Sequence, residues 1–125
     1  EQFDSATQFI EKEAQSNMQA IQMMFDALMP FTEAFRFIAE LDYFSGSSEK
    51  IARIIEQQDK ELLQLIDDGK RYGEIDKTLP TTWLLHLVDG LFYTGWYQQE
   101  QEEFTAKQAS ELAFESFRRV ASPAN

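Results

Sequence analysis

Cysteine is absent from the 125 residues, and histidine occurs once, at position 86. The first absence removes disulfides and thiolate metal sites and suits a reducing compartment. With no cysteine or second histidine beside it, His86 reads as a helix-surface or hydrogen-bonded core group, and zinc and haem have no support. No apolar run approaches the ~20 residues that span a bilayer, and no signal peptide is legible, so the expected setting is cytoplasmic with no membrane partner. Positive charge is scarce too, with 11 basic against 22 acidic residues and a formal charge of −11. A field of that sign repels phosphate backbones, which makes these residues alone a poor nucleic-acid binder. Nucleophile elbows, phosphate loops and metal-ligand clusters are also missing. No catalytic residue, metal or cofactor is therefore assigned, and an enzyme is not expected.

What is present reads as one all-α domain over residues 1–125. Hydrophobic residues make up 43% of the chain, enough for a packed core rather than disorder. Along residues 4–29, Phe9, Ile10, Ala14, Met18, Ile21, Met24, Phe25 and Leu28 recur at helical spacing. Ser5 and Gln8 form a candidate capping box there, and Pro30 marks the end. A second helix is expected over 31–44, stopped near Gly46. A third, over 48–68, begins at a Ser47 or Ser48 cap and ends at Gly69. It sets Ile51, Ile54, Ile55, Leu62, Leu65 and Ile66 against a solvated charged face. Gly73 permits a further turn, and Pro80 suits the first position of a fourth helix. Thr105 and Gln108 form a capping box for a fifth, running to about residue 120.

The fourth of these helices is apolar on every side. Between Trp83 and Tyr97 its only formal charge is Asp89. Three stripes run along it: Leu84, Val88, Leu91 and Gly95; Leu85, Asp89, Phe92 and Trp96; Trp83, Leu87, Gly90, Thr94 and Tyr97. A helix apolar all round is expected to be buried all round, which five helices of this length cannot easily achieve. A partner subunit would complete the burial. The fifth helix carries a narrower seam of small residues that includes Ala109 and Ala113.

Taken together, "PFTEAFRFIAELDYFSGSSEKIARII", the Gly69–Gly73 hinge with Glu74-Ile75 and Leu79-Pro80, and "LLHLVDGLFYTGW" before an alanine-rich last helix resemble the ligand-binding, dimerising domain of TetR-type transcriptional regulators. The resemblance spans about residues 30–121. It implies a five-helix bundle whose last two helices form a dimeric four-helix bundle, and a pocket among the earlier helices for a small effector. Regulators of this type carry an N-terminal helix-turn-helix that nothing here matches. DNA would thus be a partner only through that missing domain. The chain begins at Glu1 rather than Met, which reads as a piece of something longer.

On this reading the homodimer interface gathers Trp83, Leu87, Gly90, Thr94 and Tyr97 from the fourth helix and Ala109, Ala113 and Phe117 from the fifth. The effector pocket would be walled by Met24, Phe25, Leu28, Phe35, Ile38 and Ile55, closed by Leu85, Phe92 and Trp96. Such walls favour a hydrophobic or aromatic effector. Asp89 would pair with a cationic one, or Arg36 with an acyl carboxylate. Each feature also has a plainer meaning: the methionines and many aromatics as core, Asp89 and Arg36 as surface or paired charges. The alternative function is a helical dimeric scaffold or adaptor without an effector.

Overall fold

The computed structural model describes residues 15–32 and 49–123, with backbone alone for 49–56. Within them the chain is helical: α1 Asn17–Leu28, α2 Glu49–Arg71, α3 Thr81–Glu100 and α4 Ala106–Ala121. The all-α expectation is met among the described residues. The expected second helix over 31–44, the Gly46 stop, the Ser47 or Ser48 cap and the Ser5 capping box lie outside them. The element packings are α1 on α2 and α4, α2 on α3, and α3 on α4. One apolar cluster joins Ile21, Phe25 and Met29 of the first segment to Ile66, Leu84, Val88 and Phe117. Burying side chains of this size contributes about 1.5–3 kcal/mol each. No helix among the described residues is long and apolar enough to cross a membrane.

Several boundaries differ from the sequence expectation, each for a local reason. The first helix does not run unbroken over residues 4–29; a helix starts at Asn17, because Ser16 is extended and its hydroxyl accepts from Gln19 N–H. The expected stop at Gly69 also moves. Helix α2 continues to Arg71, and Gly73 takes the left-handed turn at φ 78°. The Glu74 N–H then donates to Gly69 O (2.8 Å) and the Gly73 N–H to Lys70 O (3.3 Å), the paired closure of a Schellman motif. Gly69 serves a different purpose: a Cβ there would lie 2.6 Å from Ile75 Cδ1, so the bare backbone lets Ile75 tuck against the helix. Pro80 is the N-cap of α3 rather than its first helical residue. At α4 the Thr105–Gln108 capping box forms as expected.

Helix α1 has only 12 residues, a length that is marginal in isolation. Both its ends are satisfied from elsewhere in the chain. Glu74 accepts at the start from Met18 N (2.8 Å), Asn17 Nδ2 (2.9 Å) and Asn17 N (3.3 Å). Burial raises the Glu74 pKa, and these hydrogen bonds more than reverse that, leaving it below the usual glutamate value. At the other end Trp96 Nε1 donates to Leu28 O (3.2 Å) and Gln99 Nε2 to Met29 O (2.9 Å), occupying carbonyls the helix itself leaves open. In the last turn of α1, Asp26 Oδ1 accepts from Ser110, 2% exposed, which pins α1 to α4.

Candidate functional site

Two regions collect the residues singled out from the sequence. The first is the interior between α1 and α3. Met24, Phe25 and Leu28 from α1 meet Leu85, Phe92 and Trp96 from α3, and all six are 0–7% exposed. Phe25 and Phe92 lie 4.8 Å apart between ring centroids, Phe92 and Trp96 5.3 Å, tilted by 35° and 31°. These separations are favourable for offset aromatic packing. The six therefore stand together as the expected pocket wall requires, and they pack as core. Phe35, Arg36 and Ile38 lie outside the described residues, as does the Ile55 side chain.

Asp89 sits on the flank of this cluster, one turn before Phe92 on α3. The residue as a whole is exposed, yet its carboxylate is crowded enough for desolvation to push its pKa up to about 6. The Asp59 carboxylate on α2 raises it further, and His86 opposes both. Asp59 is raised as well, first by desolvation, with His86 again lowering it. Sequence spacing paired Asp89 with aromatics but missed Asp59, because that acid lies 30 positions away and joins it only when α2 packs on α3. Among the described residues no group of three or more His, Asp or Glu side chains could hold a metal ion.

The second region is the outer side of α3 and α4. Trp83 is 66% exposed, Tyr93 50% and Tyr97 44%, with Gly90 and Thr94 open between them. The expectation that α3 is buried all round thus fails within the chain: Leu84, Leu85, Val88, Phe92, Gly95 and Trp96 go inward, and the opposite face is exposed. Leu87 lies half-buried at its edge. Thr94 turns its hydroxyl back to Gly90 O (2.8 Å), which satisfies it and leaves the surface less polar than its residue names suggest.

On α4 the geometry revises the expected seam. Ala109, Ala113 and Phe117 are 0–5% exposed and face the chain's own core, so they are not on the outer surface. Their spacing marked a buried stripe correctly, but the partner is intramolecular. Leu112, Ser116 and Val120 stand outward in their place. Between the helices lies a shallow dent of about 100 Å³, bordered by Leu91, Thr94, Gln98, Phe104, Leu112 and Ser116. Larger clefts bordered by described residues lie elsewhere. One of about 710 Å³ is polar and runs between Asn17, Lys60, Gln64 and Glu74; another, of about 530 Å³, is bordered by Asp26, Ser110 and Phe114.

Compared with protein-family models, curated proteins and solved structures, the chain finds no match in any of the three.

Proposed function

We propose that this chain is a small-molecule-sensing, dimerising regulatory domain of the kind found in TetR-type regulators, in a protein that acts as a repressor. A hydrophobic or aromatic effector would modulate DNA binding carried by a helix-turn-helix outside these 125 residues. The observation that carries the reading is the exposed aromatic face of α3: Trp83, Tyr93 and Tyr97 around Gly90, on a molecule of formal charge −11. A two-fold contact sets each patch against its own copy, so charge on it would be doubled and repulsive. From Trp83 to Tyr97 the only acid is Asp89, which lies toward α2 instead. Large exposed aromatics in an uncharged patch are the usual anchors of such an interface. The resemblance in sequence implies dimerisation through α3 together with α4.

Light scattering at tens of micromolar should report a homodimer, and Gly90→Arg or Trp83→Glu should yield a folded monomer. Monomeric wild type would count against the reading. Ala113 is a poorer site for that test, since a charge there strikes the core. In a mobility-shift titration at physiological salt, residues 1–125 alone are expected to bind no operator-like DNA with sequence preference.

For the effector, Asp89 beside Phe92 and Trp96 favours a lipophilic cation over a fatty acid. Calorimetry with one of each, on wild type and Asp89→Asn, distinguishes them. Unchanged affinity in the variant removes Asp89 from the site. The tight packing of Met24, Phe25, Leu28, Leu85, Phe92 and Trp96 favours a second reading, a dimeric scaffold or adaptor with no effector. Dimerisation without any thermal shift from apolar ligands would select it.

A further inference from the structure

One end of the bundle is organised by a very short piece of chain. After the left-handed Gly73, Glu74 reaches the first turn of α1 through Met18 N (2.8 Å) and Asn17 Nδ2 (2.9 Å). The Glu74 and Ile75 N–H groups both donate to Gly69 O on α2, at 2.8 and 3.1 Å. Ile75, 1% exposed, is seated against Gly69. The Asp76 N–H then donates to Ala121 O (2.7 Å), the last residue of α4. A few residues on, Lys70 Nζ donates to Leu79 O (2.5 Å) and Thr81 Oγ1 (2.8 Å), holding the start of α3 to α2. Four helix ends are thereby tied within residues 69–81.

We infer that the turn 73–76 is a coupling element, which passes a displacement of the α4 end to the first turn of α1, and the reverse. Three properties of the turn support this. It is covalently short: two residues apart, Glu74 and Asp76 can separate by no more than about 7 Å along the backbone. Its backbone is held by the Schellman closure, leaving little slack between the two contacts. Its grip on α1 is made by a carboxylate on N-terminal N–H groups, the stronger class of hydrogen bond and one aligned with the helix dipole. The inference does not depend on the proposed function, since it concerns any event that moves α4, whether subunit contact or ligand. In a sensing dimer it would link the α3–α4 interface to the point where the chain enters α1.

The test is amide hydrogen exchange by NMR on the full 125-residue chain. Glu74→Ala strips the α1 contacts and leaves Asp76 and Ala121 untouched. The expected result is exchange of the Asp76 amide faster by about tenfold, as for loss of a hydrogen bond to a charged group. Glu74→Gln, which keeps an acceptor, should recover part of the protection. Coupling is reciprocal, so Ala121→Gly, which loosens the α4 end, should in turn speed exchange at Met18. Thr105→Ala, which removes a cap at the far end of α4, controls for general destabilisation and should leave the Met18-to-Asp76 relation as in wild type. Unchanged Asp76 exchange in Glu74→Ala, or unchanged Met18 exchange in Ala121→Gly, overturns the inference.

Discussion

Glu102 occupies a backbone conformation that side chains with a Cβ rarely adopt, at φ 59°. It stands where a helix normally ends in glycine. The Glu103 N–H donates to Gln98 O (3.0 Å) and the Glu102 N–H to Gln99 O (2.9 Å), a second Schellman closure at the end of α3. Glu100, Glu102 and Glu103 also put negative charge at the negative end of the helix dipole. Glu102→Gly is expected to relieve about 1 kcal/mol of backbone strain and raise the melting temperature by roughly 3–5 °C in calorimetry. Asp89 gives a residue-level pH effect. Its pKa rises from the ordinary aspartate value of 3.8 to about 6 in the folded chain, so the folded state holds the extra proton between those values. The stability penalty is present above about pH 6 and is lost as pH falls toward 3.8. Asp89→Asn should therefore stabilise the chain most at neutral pH, with the gain over wild type shrinking in acid. Urea titrations at pH 7.5 and 4.5 measure it, and an equal effect at both would refute the burial of its charge.

At the scale of elements, Gly69 of α2 and Gly90 of α3 have opposite tasks. Gly69 sits under Ile75, so Gly69→Ala overpacks a filled contact and should cost about 1–3 kcal/mol. Gly90 is helical and open, with nothing within 4 Å of where its Cβ would stand. Gly90→Ala should then add about 0.8–1 kcal/mol of helix stability when measured in dilute, monomeric protein. The same substitution at concentrations where the proposed dimer forms is expected to stabilise less, since the added methyl would meet the other copy. Chemical denaturation at two protein concentrations reads both effects. Helix α1 is the element most dependent on its neighbours. Its start rests on Glu74 and its end on Trp96 and Gln99, residues 56–70 positions away.

For the whole molecule, charge decides how association responds to salt. Two chains of −11 repel, and the Debye length falls from ~30 Å at 0.01 M to ~8 Å at 0.15 M ionic strength. The proposed dimerisation through the uncharged face of α3 should tighten as salt is raised over that range, the reverse of a contact built on opposite charges. Sedimentation equilibrium at the two salt levels gives the sign directly. Weaker association in salt would point to ion pairs, and the exposed Glu115–Arg118 and Glu115–Arg119 pairs of α4 would then need to be considered as intermolecular links.

The sequence by itself determined that the described chain is helical, where α4 begins, and which side of α1 and of α4 is oily. Those properties are local: a 3.6-residue period for Ile21, Met24, Phe25 and Leu28, and a capping box three residues long at Thr105. Apolar spacing even selected six of the residues that meet between α1 and α3. It could not say whether such residues line a space or fill one, since periodicity reports that a side chain is buried and not what it touches. For the same reason Ala109, Ala113 and Phe117 read as an interface seam, when their partner is the chain's own core. Only tertiary structure decided that one side of α3 goes inward while the other stays exposed, that Glu74 reaches the first turn of α1, and that Asp59 comes to face Asp89. Each brings together groups far apart in sequence, whose meeting is a property of packing.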